Sequence, residues 1–414
     1  MEDTEQELLA TICEEPEADG PRLVYADWLT QRGDVRGELI VAGVQLARLD
    51  DRDPRRYPLL RHEASLRQAT AQTRELPGGR LDRLERGFPT RLVIEATAIA
   101  ELPPHVGPPV HTLAIRNLGE STVADVMTRP VAGLTALELH GMRGLPDALN
   151  MICRWRALAP IEHLVVQGAF QDGTGLARLL DGPLSPFAKL RSVTLAFESR
   201  QRQPAGLRDL PRGGLERLAL SNMQIRDAAI VEALGLRALS LERCQASISA
   251  FAPTIARLEE LRVDNVPGAG DDLAAFVAGN PGLRRLQFSG PRYRETVTTA
   301  GLATILTGCR ELKTLAVIGA RLAEPGFTTA IAALPAVVEL DLSHNDLVDA
   351  SVLALAAAPA AQHLRVLRLS HNAIGDVGAH TLLTAPVFAD LGILELDGNP
   401  ISPKLVTQLT ARFG

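Results

Sequence analysis

Between Val110 and Ile401 the chain writes a short apolar beat of the form L-x-x-L-x-L twelve times. Its paired anchors are Leu113/Ile115, Leu137/Leu139, Leu164/Val166, Val193/Leu195, Leu218/Leu220, Leu239/Leu241, Leu261/Val263, Leu286/Phe288, Leu315/Val317, Leu340/Leu342, Leu367/Leu369 and Leu394/Leu396. Successive first anchors stand 21 to 29 residues apart, the period of stacked coils and not of a chain wrapped around one core. Residues two apart on a strand share a face, so the anchors turn inward and the residues flanking them turn outward. Twelve such strands predict a parallel sheet on the concave side of an arc, with helices on the convex side. A surface of that kind holds another macromolecule without naming it.

Composition fits thin coils. Hydrophobic residues make up 46% of the 414 but aromatics only 4%, so the core must be Leu, Val, Ile and Ala. A length prior alone would suggest two or three domains, but a solenoid grows by adding units. The net charge of -6, from 43 basic and 49 acidic residues, argues against a nucleic-acid partner, which needs a basic footprint. The only lysines are Lys189, Lys313 and Lys404, and this arginine bias reads as the coding of a GC-rich genome. Cys13, Cys153, Cys244 and Cys309 form no C-x-x-C pair, which points away from zinc and from a disulfide framework and toward a reducing cytoplasm. The N-terminus has no signal-peptide pattern, and no apolar run is long enough to span a bilayer.

Residues 1–76 lack the beat and read as a helical domain. Leu8, Leu9 and Ile12 share a face of a first helix, and Asp19-Gly20-Pro21 opens a second that runs from Arg22 to Gln31. Gly33-Asp34 closes it. A third helix is expected from Val35 to Leu49 and, after Pro54, a fourth from Arg56 to Arg74. Residues 77–109, starting with Pro77-Gly78-Gly79, read as a linker and N-terminal cap, and 110–414 as the repeat domain. Residues 1 to 50 hold 12 acids and 4 bases, whereas 51 to 91 hold 6 and 10, which suits neighbouring helices laced by ion pairs.

The segment Pro21-Arg22-Leu23-Val24-Tyr25-Ala26-Asp27-Trp28-Leu29, with Gly33-Asp34-Val35-Arg36-Gly37-Glu38-Leu39-Ile40, resembles the signature of the bacterial repeat-companion domain, a short module that precedes leucine-rich repeats. The match is dense over residues 7–48. Arg86-Gly87-Phe88-Pro89 and Pro109-Val110-His111-Thr112-Leu113 look like that family's transition into its repeats. The resemblance implies a bacterial leucine-rich-repeat protein and brings no assigned reaction. Arg22, Asp27 and Glu38 are expected to form a partly buried ion-pair set, with Tyr25 and Trp28 anchoring the helical core. Trp28 is also this module's candidate for binding a partner.

Asn345, Asn372 and Asn399 fall in the ninth repeat position, where a turned-in amide satisfies main-chain groups of adjacent coils; Cys244 shares the column as a core residue. Elsewhere that position holds Leu118, Met223, Val266, Pro291 or Ala320, so the asparagine ladder is confined to the C-terminal end. Helices are expected at Asp349–Ala358, Asp376–Thr384 and Ser402 or Pro403 to Phe413. The run from Leu369 to Leu383 is similar to the strand-plus-helix class of ribonuclease inhibitors and GTPase-activating repeat proteins. The fold class expected is therefore α/β, a leucine-rich-repeat solenoid of about twelve repeats behind a small all-α domain.

Outward positions carry no aromatic in the middle column, which includes Glu138, Arg262, Asp341, Arg368 and Glu395. Charges gather at Glu242, Glu260, Arg262, Asp264 and Arg285, and again at Glu339, Asp341, Arg368, Glu395 and Asp397. Mixed charge of this kind suits a protein partner with a complementary polar surface, anchored by Arg262, Arg285 and Arg368. His344 and His371 repeat in S-H-N and should stack roughly 5 Å apart without completing a metal site. No catalytic motif, cofactor loop or ubiquitin-ligase domain is legible. A non-enzymatic scaffold, regulator or inhibitor accounts for every feature; the alternative is a GTPase-activating regulator using a loop arginine. The partner's identity, the oligomeric state and the role of the helical domain stay open.

Overall fold

The computed structural model describes residues 2–15, 17–50, 53, 55–70, 75–76, 78–101, 110–119, 122, 134–143, 161–169, 189–197, 214–225, 231, 234–290, 297–320, 322 and 326–413. The features expected at Pro54, Arg74, Pro77, Pro109, Cys153 and Pro291 lie outside the described residues. The chain divides into two compact units, residues 1–200 with 208–214 and residues 201–207 with 215–414.

The first unit opens with α1 (Glu2–Glu14), α2 (Asp19–Thr30), α3 (Arg36–Arg48) and α4 (Arg56–Ala69). Helical spacing gathers Ile12, Tyr25, Ala26, Leu29, Ile40 and Val44 into one buried cluster, with Leu8, Leu9 and Trp28 against its edge. Gly33, at φ +73°, ends the second helix in the left-handed region where a side chain is strained. This small core is finished from outside the helices. Phe88 enters the main cluster, and Leu84 joins Leu39, Ala42 and Leu66 in a second.

Both residues come from the stretch expected to be linker and cap. It follows β1 (Glu75–Leu76), a strand inside the stretch expected to be helical, and carries β2 (Gly79–Glu85) and β3 (Phe88–Glu95); the three pair antiparallel in that order. Gly87 lies in the turn between β2 and β3 at φ +78°, and a Cβ there would stand 2.3 Å from the Ile40 Cα. A Cβ on Gly43 would lie 2.4 Å from the Gly87 nitrogen. The R-G-F-P motif is thus a backbone-to-backbone contact between α3 and the hairpin, which only glycine permits.

From β3 onward the pairing is parallel, through β4 (Thr112–Arg116), β5 (Ala136–Arg143), β6 (His163–Ala169) and β7 (Ser192–Phe197). Leu92 and Ile94 stand in register with Leu113 and Ile115, so β3 supplies an apolar beat ahead of the twelve. The second unit repeats the plan with β8 (Arg217–Ser221), β9 (Ala238–Glu242), β10 (Glu260–Asp264), β11 (Arg285–Ser289), β12 (Thr314–Ile318), β13 (Glu339–Asp341), β14 (Val366–Arg368) and β15 (Ile393–Glu395), parallel in chain order. Every anchor pair from Leu113/Ile115 to Leu367/Leu369 is at most 2% exposed, which fixes the register because a one-residue slip would turn the whole set outward. Leu394 and Leu396, in the last coil, are half-buried.

The described helices of this unit include α5 (Asp271–Ala278), α6 (Thr299–Gly308), α7 (Gly326–Ile331), α8 (Asp349–Ala357), α9 (Asp376–Thr384) and α10 (Pro403–Phe413), each against the next. An aspartate in the first turn of one helix accepts from backbone amides at the start of a following helix. Asp271 takes the Thr298 amide at 2.9 Å, Asp349 the Gly375 and Gly378 amides at 2.7 and 2.9 Å, and Asp376 the Ser402 amide at 2.7 Å. These carboxylates satisfy orphan amides and oppose the positive end of the helix dipole. Between Leu239 and Leu261, one of the two shortest coils, the chain holds only a 3-10 turn and a four-residue helix, Ala252–Ile255.

The asparagine ladder forms as expected. Asn345 accepts the Ala320 amide at 2.8 Å and donates to the Val317 carbonyl at 2.6 Å. Asn372 accepts the Asn345 and Leu347 amides at 2.8 and 3.0 Å and donates to Leu342 and Leu369. Asn399 accepts the Ile374 amide and donates to Leu369. Cys244 is fully buried with its Sγ 3.2 Å from the Leu220 carbonyl. Burial pushes the other buried thiol among the described residues, Cys309, up to about 12, so it is a core residue too.

Candidate functional site

Because the anchors point inward, the residues between them form columns on the opposite face of each unit's sheet. In the second unit the register aligns Arg217, Ala238, Glu260, Arg285, Thr314 and Glu339 in one column. The next aligns Ser240, Arg262, Gln287, Ala316, Asp341, Arg368 and Glu395.

The charges expected to gather there do lie on this face, and several are paired with one another or with neighbours. Glu260 stands between two arginines, 3.2 Å from Arg217 and 3.6 Å from Arg285. Arg262 reaches Asp264 only at 3.9 Å. Glu242 pairs with its neighbour Arg243 at 2.7 Å, and Arg368 donates to Glu395 at 3.0 Å. Asp341 accepts the Ser343 amide, and Glu339 lies in register between Thr314 and Val366. Arg217 and Arg243 escaped the sequence reading; the columns contain the first, but its partner two coils away was not apparent.

A denser network, also missed, occupies the same face of the first unit. Glu138 points outward from β5 yet is 6% exposed, because cations close over it. Arg91 donates to it at 2.6 Å, Arg83 approaches to 3.5 Å, and His140 Nε2 lies 3.0 Å away. Arg91 also holds Asp82 at 3.0 Å, and His140 Nδ1 meets the Gln167 Oε1 at 2.9 Å. Burial works to raise the Glu138 carboxyl, but the hydrogen bonds from His140 and Arg91 prevail and hold it at about 2. The bond to Glu138 raises the His140 imidazole in turn, against the effect of its burial. The signal available in sequence was Glu138 itself, a carboxylate in the middle column beside small Ala114, Ala136 and Val165.

In the helical module, Trp28 is half-buried, stacked on Tyr25 with centroids 5.8 Å apart and covered by the Arg32 guanidinium at 3.7 Å. The Tyr25 hydroxyl donates to Glu5 at 2.7 Å. The ion-pair set expected among Arg22, Asp27 and Glu38 does not form. Arg22 is buried, donates to the Ala18 carbonyl and stands 5.7 Å from the Phe88 ring centre, whereas Asp27 and Glu38 are exposed. Five residues advance a helix by about 140° beyond one turn, which carries Asp27 away from Arg22's face. The local pair is instead Asp34–Arg36 at 2.7 Å.

His344 and His371 stack with ring centres 4.3 Å apart. Their φ values of +60° and +57° place them in a left-handed column two residues after each second anchor, which also holds Asn117, Asn222, Asn265, Gly319 and Gly398. The repeated turn therefore explains the pair. Among the described residues no group of three or more His, Cys, Asp or Glu is placed to hold a metal ion, and no helix is long and apolar enough to cross a membrane.

Comparison with a family model agrees with this geometry at the level of fold. The family described as Leucine Rich repeat matches residues 335–356 and 360–383, the coils of β13 and β14. No curated protein matches the chain by sequence. Among solved structures, an internalin from Listeria monocytogenes is 15% identical over 74% of this chain and 86% of its own, with a TM-score of 0.41. The TLR13–ssRNA13 complex is 17% identical over 75% of this chain, with a TM-score of 0.38, and this chain spans 42% of TLR13's length. A Bacteroides fragilis protein is 13% identical over 72% of both chains, with a TM-score of 0.31. The fold is a leucine-rich-repeat solenoid of strand-plus-helix coils preceded by four helices.

Proposed function

We propose that the chain is a non-enzymatic binding module, a scaffold or regulator, whose protein partner lies across the open strand face. The observation that carries this is the state of two central arginines. Arg262 and Arg285 are 49% and 59% exposed, and their nearest carboxylates stand at 3.9 and 3.6 Å, beyond hydrogen-bond range. Among the described residues neither side chain makes a hydrogen bond, so two guanidinium forks present their donors to an incoming surface. Arg368 adds a third anchor, while Glu242, Glu260, Asp264, Glu339, Asp341 and Glu395 supply the complementary acid. The likeness of residues 7–48 to the repeat-companion signature supports a bacterial setting, the scattered cysteines support a cytoplasmic one, and Trp28 is left as a second contact point.

Affinity capture from native lysate, with wild type compared to the Arg262→Glu/Arg285→Glu pair, tests the reading. We expect loss of at least one abundant captured protein with the pair and none with a substitution at exposed Leu353 on α8. An unchanged set of captured proteins would refute the strand-face reading.

A further inference from the structure

The cation network around Glu138 is more than an internal ion pair, because its arginines are unequally held. Around it on β2 to β5 stand Arg80, Arg83, Arg91, Arg116 and His140, against Asp82, Glu95 and Glu138, with Glu85, bonded to His111, also within electrostatic reach of Arg83. His140 has both ring nitrogens against acceptor oxygens, Glu138 Oε2 and Gln167 Oε1. The imidazolium is the form that donates in both directions.

One of these cations is loosely held and another has no partner among the described residues. Arg83 is 53% exposed and meets Glu138 only at 3.5 Å, while Arg91 and His140 already satisfy that carboxylate. Arg116 is exposed and lies in register between Glu95 and His140. Among the described residues Arg116 makes no side-chain hydrogen bond or ion pair, and Glu95 is engaged by the Asn117 amide at 2.9 Å. The face then continues over β6 and β7 through Val165, Ser192, Thr194 and Ala196, flanked on β6 by His163 and Gln167. Those leave room for an extended backbone.

We propose that this face of the first unit takes an acidic, extended segment of a protein partner, with Arg83 and Arg116 meeting its carboxylates. The inference rests on the strand-face reading and specifies the partner's chemistry. A peptide is favoured over a nucleic acid because no Phe, Tyr or Trp occupies an outward position of β3 to β7 for a base to stack on, and the chain is acidic overall.

The experiment is fluorescence anisotropy with the full chain and labelled deca-glutamate, with deca-lysine and deca-thymidylate as competing probes. Deca-glutamate should bind, weaken with salt, lose about ten-fold or more in affinity in the Arg83→Glu/Arg116→Glu variant, and be indifferent to Arg368→Glu in the second unit. Should the double variant not fold, judged by circular dichroism, Arg116→Gln should still weaken binding roughly three-fold. Absence of deca-glutamate binding, equal binding by the variants, or tighter binding of deca-thymidylate overturns the proposal. Protein capture that depends on Arg262 and Arg285 without deca-glutamate binding sinks this inference and leaves the strand-face reading standing. Failure of both experiments sinks both.

Discussion

Replacing Asn372 with alanine tests whether the ladder of buried amides holds the C-terminal coils together. The side chain is 8% exposed and satisfies two amides, those of Asn345 and Leu347, while its own amide donates to the carbonyls of Leu342 and Leu369. No other side chain replaces it, so alanine strands two buried donors at about 1–3 kcal/mol each. With partial access of water to the resulting gap, the expected loss is about 3–5 kcal/mol. Contacts in a solenoid run between neighbouring coils, so the loss should be local.

Hydrogen exchange resolved to single amides is the fitting assay. The Asn345 and Leu347 amides should exchange roughly 100-fold faster or more, at about 1.4 kcal/mol per decade, while amides of α2 and α3 keep their rates. In Asn372→Asp the acceptor of these amides remains, but the donors to the Leu342 and Leu369 carbonyls are lost and a carboxylate oxygen faces them, so the coil should be destabilised at neutral pH and partly recover once the carboxyl is protonated and can donate to one of them. If alanine leaves both amides within about three-fold of their original rates, the ladder does not stabilise these coils and the reasoning fails.

Gly87→Ala should cost about 2 kcal/mol or more, through strain at positive φ and a Cβ driven into Ile40; a melting temperature unchanged within error would contradict the close packing of hairpin and helix. Asp349→Ala removes the acceptor of the Gly375 and Gly378 amides and should cost about 1–2 kcal/mol in urea unfolding, with loss below half that range counting against the cap. Glu138→Gln carries a pH signature. Glu138's depressed carboxyl contributes stability above 4.5 that is lost as pH falls toward about 2, and the raised His140 contributes stability below 6.5 that is lost as pH climbs through its folded value. The gap between wild type and variant should therefore be widest between 4.5 and 6.5 and narrow on both sides; a gap independent of pH would remove the charge network from the account.

The repeat was legible because its information is local. Two anchors on one strand face, a period, and a ninth-position asparagine are each visible within a few residues, and the structure places them in register with their side chains inward. The first beat, at Leu92 and Ile94, was hidden because it belongs to a hairpin whose turn is dictated by contact with α3 and not by its own pattern. Arg22 shows the same limit. Partial burial was expected for it with Asp27 and Glu38 as partners, but its neighbour is Phe88, 66 positions further along, and no local rule pairs those two.

Sequence by itself determined the coil, its inward anchors, the asparagine ladder and the outward positions of Arg262, Arg285 and Arg368. Which charges neutralise one another was decided only in three dimensions. Parallel stacking brings residues from neighbouring coils to strand spacing, so Glu138 finds Arg91 from 47 residues earlier, while Arg262, Arg285 and Arg116 find no close partner. The distinction between a satisfied charge and an available one depends on distances of less than an ångström, and those are set by the register of whole coils.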